Sequence, residues 1–156
     1  MSLENREAER ELLGALLAYF TPDLLTRVRG VLRDDDWSDP RHRIVWRAVC
    51  AVSGHGDHVD TVTVGSFLRG HRDREKRSYL DLAGGEAMLQ LLVSHAVPNG
   101  VVERARIVAM DGEWRRRRRS CLAGLEACEA RDEDGWREAM GEGPRLRVIE
   151  GERQAS

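Results

Sequence analysis

Apolar residues recur along most of this chain at steps of three and four, the spacing that gathers side chains on one face of an α-helix. Between Glu7 and Phe20, Leu12, Leu16 and the pair Tyr19/Phe20 follow that rhythm. Thr21-Pro22-Asp23 then signals a second helix, since proline at the first helical position gives up an N–H that has no partner there anyway. Its stripe is Leu25, Val28 and Val31/Leu32, and the acidic Asp34–Asp36 is expected to close it as a solvated loop. Ser38-Asp39-Pro40 repeats the start signal with an Asp able to accept orphan N–H bonds. The third helix is expected to run to about Ser53, burying Ile44, Val45, Ala48, Val49 and Val52, with Gly54 as a natural stop.

VDTVTV (59–64) alternates like a strand, yet no second convincing strand exists to satisfy its backbone groups. We therefore read Asp60 or Thr61 as the cap of a short fourth helix ending near Leu68. A charged loop (71–78) follows. Gly84-Gly85 then opens a helix with Met88, Leu91 and Leu92 expected inward, and AVPNG (96–100) is a turn. From Val101 to about Ala130 the pattern supports one long helix, and Asp132 to Met140 supplies at most a short second arm. The fold class is all-α: a small helical bundle (1–100), a long helix with a truncated hairpin arm (101–140), and an expected disordered tail (141–156).

Composition narrows the function. The chain has 156 residues, enough for one domain with a real core. Its formal net charge is -2, so no global positive field draws it to nucleic acid or membrane. Lys76 is the only lysine among 25 basic residues. Arginine suits bidentate contact with carboxylate or phosphate, although a G+C-rich coding bias produces the same skew. Cys50, Cys121 and Cys128 form no C-x-x-C pair and point to free thiols in a reducing compartment. With a charged start, MSLENREAER, and no apolar run long enough to span a bilayer, a cytoplasmic location and no membrane partner are expected.

Four stretches carry a family likeness: REAERELLGALL (6–17), WSDPRHRIVWRAV (37–49), VDTVTVGSFL (59–68) and GGEAMLQLLVSHAVPNGVVERARIV (84–108). In this order and at these distances the chain resembles the N-terminal domain of replicative DNA helicases, the DnaB family. The resemblance implies a helical bundle followed by a helical hairpin, pairing of hairpins between subunits, a collar above the motor ring, and contact with primase. It implies no catalysis in this domain and no cofactor. A helicase motor needs a P-loop whose lysine reaches nucleotide phosphates, and Lys76 lies in DREKRSY with no glycines before it. These 156 residues therefore contain no ATPase site; a full-length helicase parent would be an ATP-dependent enzyme. The chain departs from the family pattern in its short second arm and in Gly112, which is expected to interrupt the long helix at a cost of about 1 kcal/mol relative to alanine.

WRRRRRS (114–120) is the motif most suggestive of nucleic acid. Ile107, Met110, Trp114, Cys121, Leu125 and Cys128 keep the rhythm of a packing seam, and Arg118 fills its one gap. Ile107, Met110, Trp114, Arg118, Cys121 and Leu125 are thus candidate interface residues. Arg115, Arg116, Arg117 and Arg119 are the weaker candidates for nucleic acid. Five consecutive residues sweep the whole helix circumference at about 100° each, whereas a phosphate-tracking surface needs its charges on one side. Asp111→Arg115 and Glu113→Arg117 would be ordinary helix-supporting pairs. The leading reading is a non-catalytic protein-interaction domain in DNA replication, its partner another copy, a replicative helicase or primase. A small DNA-binding regulator using the arginine run is the alternative.

Other constellations carry less. Cys50, His55 and His58 lack the fourth ligand and the pairing of a structural zinc site, and Asp34–Asp36 lack a second acidic cluster for a two-metal site. Trp46 falls just off the inner face of its helix, and we favour packing within the bundle over contact with a partner. No nucleophile elbow, zinc-protease helix or dinucleotide glycine fingerprint occurs.

Overall fold

The computed structural model describes residues 5–141. Its α-helices are α1 (Arg6–Ala18), α2 (Pro22–Arg29), α3 (Pro40–Gly54), α4 (Thr61–Gly70), α5 (Tyr79–Ala83), α6 (Gly85–Ser94), α7 (Val101–Ala130) and α8 (Glu133–Met140), with one 3-10 turn at Asp34–Asp36. Among the described residues there is no strand, only an isolated bridge between Arg72 and Ser78. The all-α class holds. The expected tail beyond Gly141 lies outside the described residues.

The start signals work as their chemistry dictates. Thr21 accepts from Leu24 N and Asp39 from Arg41 N, each followed by proline at the first helical position. Asp60 accepts from both Val62 N and Thr63 N while the Thr63 hydroxyl takes the Asp60 N–H, a reciprocal capping box. That local network turns the strand-like valines of 59–64 into the start of α4. Ser78 caps α5, a five-residue helix too short to leave a periodic trace in the sequence.

Two compact units divide the chain between Trp114 and Arg115. The first holds α1 to α6 and the opening half of α7 around one apolar core. Leu12, Leu13 and Leu16 of α1, Val45 and Val49 of α3, Leu89 and Leu92 of α6, and Ala105 and Val108 of α7 are all buried. On α6 the inward set is Met88, Leu89 and Leu92, and Leu91 is exposed. At about 100° per residue, position 91 lies well off the face shared by 88, 89 and 92, so the expectation for Leu91 is corrected.

Two glycines permit close approaches in this unit. A Cβ on Gly14 would lie 2.0 Å from the Leu92 carbonyl oxygen, so α1 and α6 touch backbone to backbone there. A Cβ on Gly112 would lie 2.3 Å from an Asp36 carboxylate oxygen. Gly112 therefore does not interrupt α7, which runs unbroken through it. Its missing side chain makes room for the 3-10 turn.

The second unit, described over 115–141, is a helical hairpin. Arg131, at φ 54, ends α7 in the left-handed region, and Asp132 N–H donates back to the Ala127 carbonyl, the geometry of a Schellman cap. Asp132 then caps α8 by accepting from Gly135 N. The short second arm thus forms. It packs on α7 at Gly124, where a Cβ would come within 2.9 Å of Met140 Sδ.

Candidate functional site

The opening half of α7 has two contrasting sides. Val101, Ala105, Val108 and Gly112, spaced four, three and four apart, are buried against the bundle. Ile107, Met110 and Trp114 lie roughly half a turn round the helix at about 100° per residue, and they are 38%, 56% and 51% exposed. This apolar stripe is turned to solvent beside a core already filled. In the second unit, Arg118, Cys121 and Leu125 are likewise exposed, Leu125 at 57%. There α7 buries only Gly124 and Ala127, the positions facing α8. The six candidate interface residues therefore all stand at the surface and take no part in an apolar core.

The arginines follow the geometry expected of consecutive helical residues. Arg117, Arg118 and Arg119 are exposed, whereas Arg115 and Arg116 are half-buried. The run encircles the helix and does not line one side of it.

A polar network hidden in the first unit holds α1 to the start of α3. Glu9, only 1% exposed, accepts from Ser38 N at 2.7 Å and from Asp39 N at 3.4 Å, and its Oε2 lies 2.6 Å from His42 Nδ1. Burial alone would push the Glu9 carboxyl up. The hydrogen bonds from His42 and Ser38 outweigh burial and hold it below the ordinary glutamate value. Asp39 beside it is held down at about 2 by the Arg41 guanidinium, which donates from Nε at 3.1 Å and from the terminal amine at 2.7 Å. Together the two carboxylates anchor the α3 N-terminus, where negative charge meets unpaired N–H groups. Periodicity gave no sign of this network, because Glu9 and His42 read locally as surface residues.

The acidic triplet forms a 3-10 turn in which Asp34 and Asp35 are exposed, as expected, and Asp36 is not. Asp36 is buried, its Oδ2 accepting from Arg33 N at 2.8 Å. Asp34 accepts from Trp46 Nε1 at 3.1 Å and from Arg47 Nε at 2.8 Å. Trp46 is buried against Trp37, ring centroids 5.6 Å apart, so it packs within the bundle. Cys50, His55 and His58 turn to different neighbours: His55 to Phe67, His58 edge-on to Phe20, and Cys50 to a small depression on α3. Among the described residues no group of three metal-ligating side chains converges, and no helix is long and apolar enough to cross a membrane.

Residues 1–110 match the family model for the DnaB-like helicase N-terminal domain. The chain is 26% identical over 113 residues to the replicative DNA helicase DnaB of Synechocystis sp., 72% of this chain but 12% of that protein. With DnaB of Leifsonia xyli subsp. xyli the identity is 33% over 87 residues, 56% of this chain and 17% of the helicase. The chain thus spans less than a fifth of either relative. The crystal structure of the N-terminal domain of DnaB helicase from Mycobacterium tuberculosis superposes with a TM-score of 0.76 at 25% identity, covering 90% of this chain and 98% of that one.

Proposed function

Because the chain belongs to the DnaB-like helicase N-terminal domain family, we propose that it acts in DNA replication as a non-catalytic docking module. The surface it uses is the outward face of α7, and its partner is a second copy, a replicative helicase or primase. The observation that carries this reading is the placement of Ile107, Met110 and Trp114. A helix that already buries Val101, Ala105 and Val108 on one side keeps a second apolar stripe in solvent on the other. Exposed Leu125 and Cys121 offer the hairpin unit a corresponding face, where Arg118 would meet a carboxylate across the contact and fix its register at some cost in stability. The work of such a module is burial of apolar area and rim pairing of arginine with carboxylate.

The experiment is mass by light scattering, first of the chain alone and then mixed with the host's helicase and primase. Wild type is expected to give an assembly heavier than one chain in at least one of these mixtures. Met110→Asp combined with Leu125→Asp should abolish it without lowering helix content. A monomer that joins neither partner would refute the proposal.

A further inference from the structure

We propose that the depression between the end of α2, the 3-10 turn and the middle of α3 is a docking site for an acidic side chain of a partner protein, held by Arg29 and Arg47 above Trp46. This site lies in the first unit, and its lining shares no residue with the proposed docking face of α7. Its volume is about 300 Å³, and it is lined by Arg29, Leu32, Asp34, Trp46, Arg47 and Cys50. That size, at the lower end of ligand pockets, suits a side chain or two of a docked segment better than a dinucleotide.

The chemistry of the lining selects the occupant. Leu32 and Trp46 are core residues that reach the depression only at their edges, and its lining is mainly polar. The Cys50 thiol, pushed up to about 11 by burial, stays neutral and adds no negative charge. Asp34 is the one acid in the lining, and both its oxygens are already engaged, one by the Trp46 indole and the other by Arg47 Nε. Two arginines and one engaged carboxylate thus line the depression. The Arg29 fork and the terminal amines of Arg47 remain for an incoming anion, and a planar guanidinium matches a carboxylate in two parallel bonds. A nucleic-acid strand would need a continuous basic track, whereas here two arginines flank a single engaged carboxylate and no run of basic side chains lines the depression. A single carboxylate needs only those two guanidinium groups.

The test follows the Trp46 indole N–H and the Arg29 and Arg47 Nε–H resonances of the whole ¹⁵N-labelled chain during titration with N-acetyl-leucyl-glutamyl amide, whose one carboxylate is the side chain. N-acetyl-leucyl-glutaminyl amide and inorganic phosphate at matched ionic strength are the controls. Saturating shifts of all three resonances are expected with the glutamyl probe alone. Arg29→Gln, at an exposed helix end, should weaken that binding by about fivefold or more, as loss of a charge-assisted hydrogen bond predicts. Met110→Asp on α7 should leave it unchanged. Non-saturating shifts, equal shifts with the glutamine probe, or phosphate binding as tightly as the glutamyl probe would each overturn the proposal. Should Arg29→Gln disturb folding, the wild-type titrations decide alone.

Discussion

The two units solve the same problem, keeping α7 in place, with opposite means. In the bundle, α7 is held by a core of leucines and valines, by the ion pair of Arg104 with Glu11 of α1, and by the close seat of Gly112 on Asp36. In the hairpin, only Gly124 and Ala127 of α7 are buried, while Leu122, Leu125, Trp136 and Met140 remain between 44% and 57% exposed. Burial of apolar area stabilises by about 25 cal/mol per Å², so the bundle carries its own stability and the hairpin carries little. The lesson is one of allocation. The bundle fills a core and still turns Ile107, Met110 and Trp114 of α7 to solvent, whereas the hairpin leaves most of its large apolar side chains exposed.

Substitutions sort along that contrast. The largest loss is expected from Glu9→Ala, which strips Ser38, Asp39 and His42 of a buried acceptor; urea unfolding should show about 3 kcal/mol less stability. Retention of wild-type stability would mean that the network is not what ties α1 to α3. Next comes Gly14→Ala, for which α1 and α6 must separate; about 1–3 kcal/mol is expected despite alanine's better helix propensity.

Acid should act on the bundle through the same anchor. Both Glu9 and Asp39 have folded values below their unfolded ones, so their stabilising contribution is complete above the unfolded carboxylate range and is lost as pH falls through the folded values, down to about 2 for Asp39. Melting followed by circular dichroism from neutral pH downward should therefore show steadily falling stability. Asp39→Ala should be less stable at neutrality by about 1 kcal/mol and should flatten the acid limb. The smallest effect on stability is expected in the hairpin: Leu125→Ala should change the melting free energy by no more than about 0.5 kcal/mol. If Leu125→Ala instead costs as much stability as is expected of Glu9→Ala, the contrast between the units fails.

What the sequence discloses here is what short-range chemistry decides. Asp39-Pro40 and Asp60 announce their helices because a cap and the N–H groups it accepts lie within three residues of each other. The exposed stripe on α7 was legible for a related reason: a helix keeps its period whether or not anything covers the face. The bundle's polar heart was not legible, since Glu9 meets His42 across 33 positions and each resembles an ordinary surface residue beside its neighbours. Leu89 and Leu91 could not be ranked, because MLQLLV offers apolar residues to more than one face and only the packing of α1 on α6 chooses. Asp36 looked like a solvated acid because only the fold brings Gly112 of α7 against it.

The seat of Gly112 on Asp36 has a directional consequence. Where a methyl group at that position would wedge the helix away from the turn, its absence lets the rod lie flush, and so decides the heading of Met110 and Trp114. One hydrogen in place of a carbon thus works as a sighting notch. Alanine there would leave Met110 and Trp114 intact while aiming them elsewhere, so the docking proposed for that face is expected to fail with none of its residues altered.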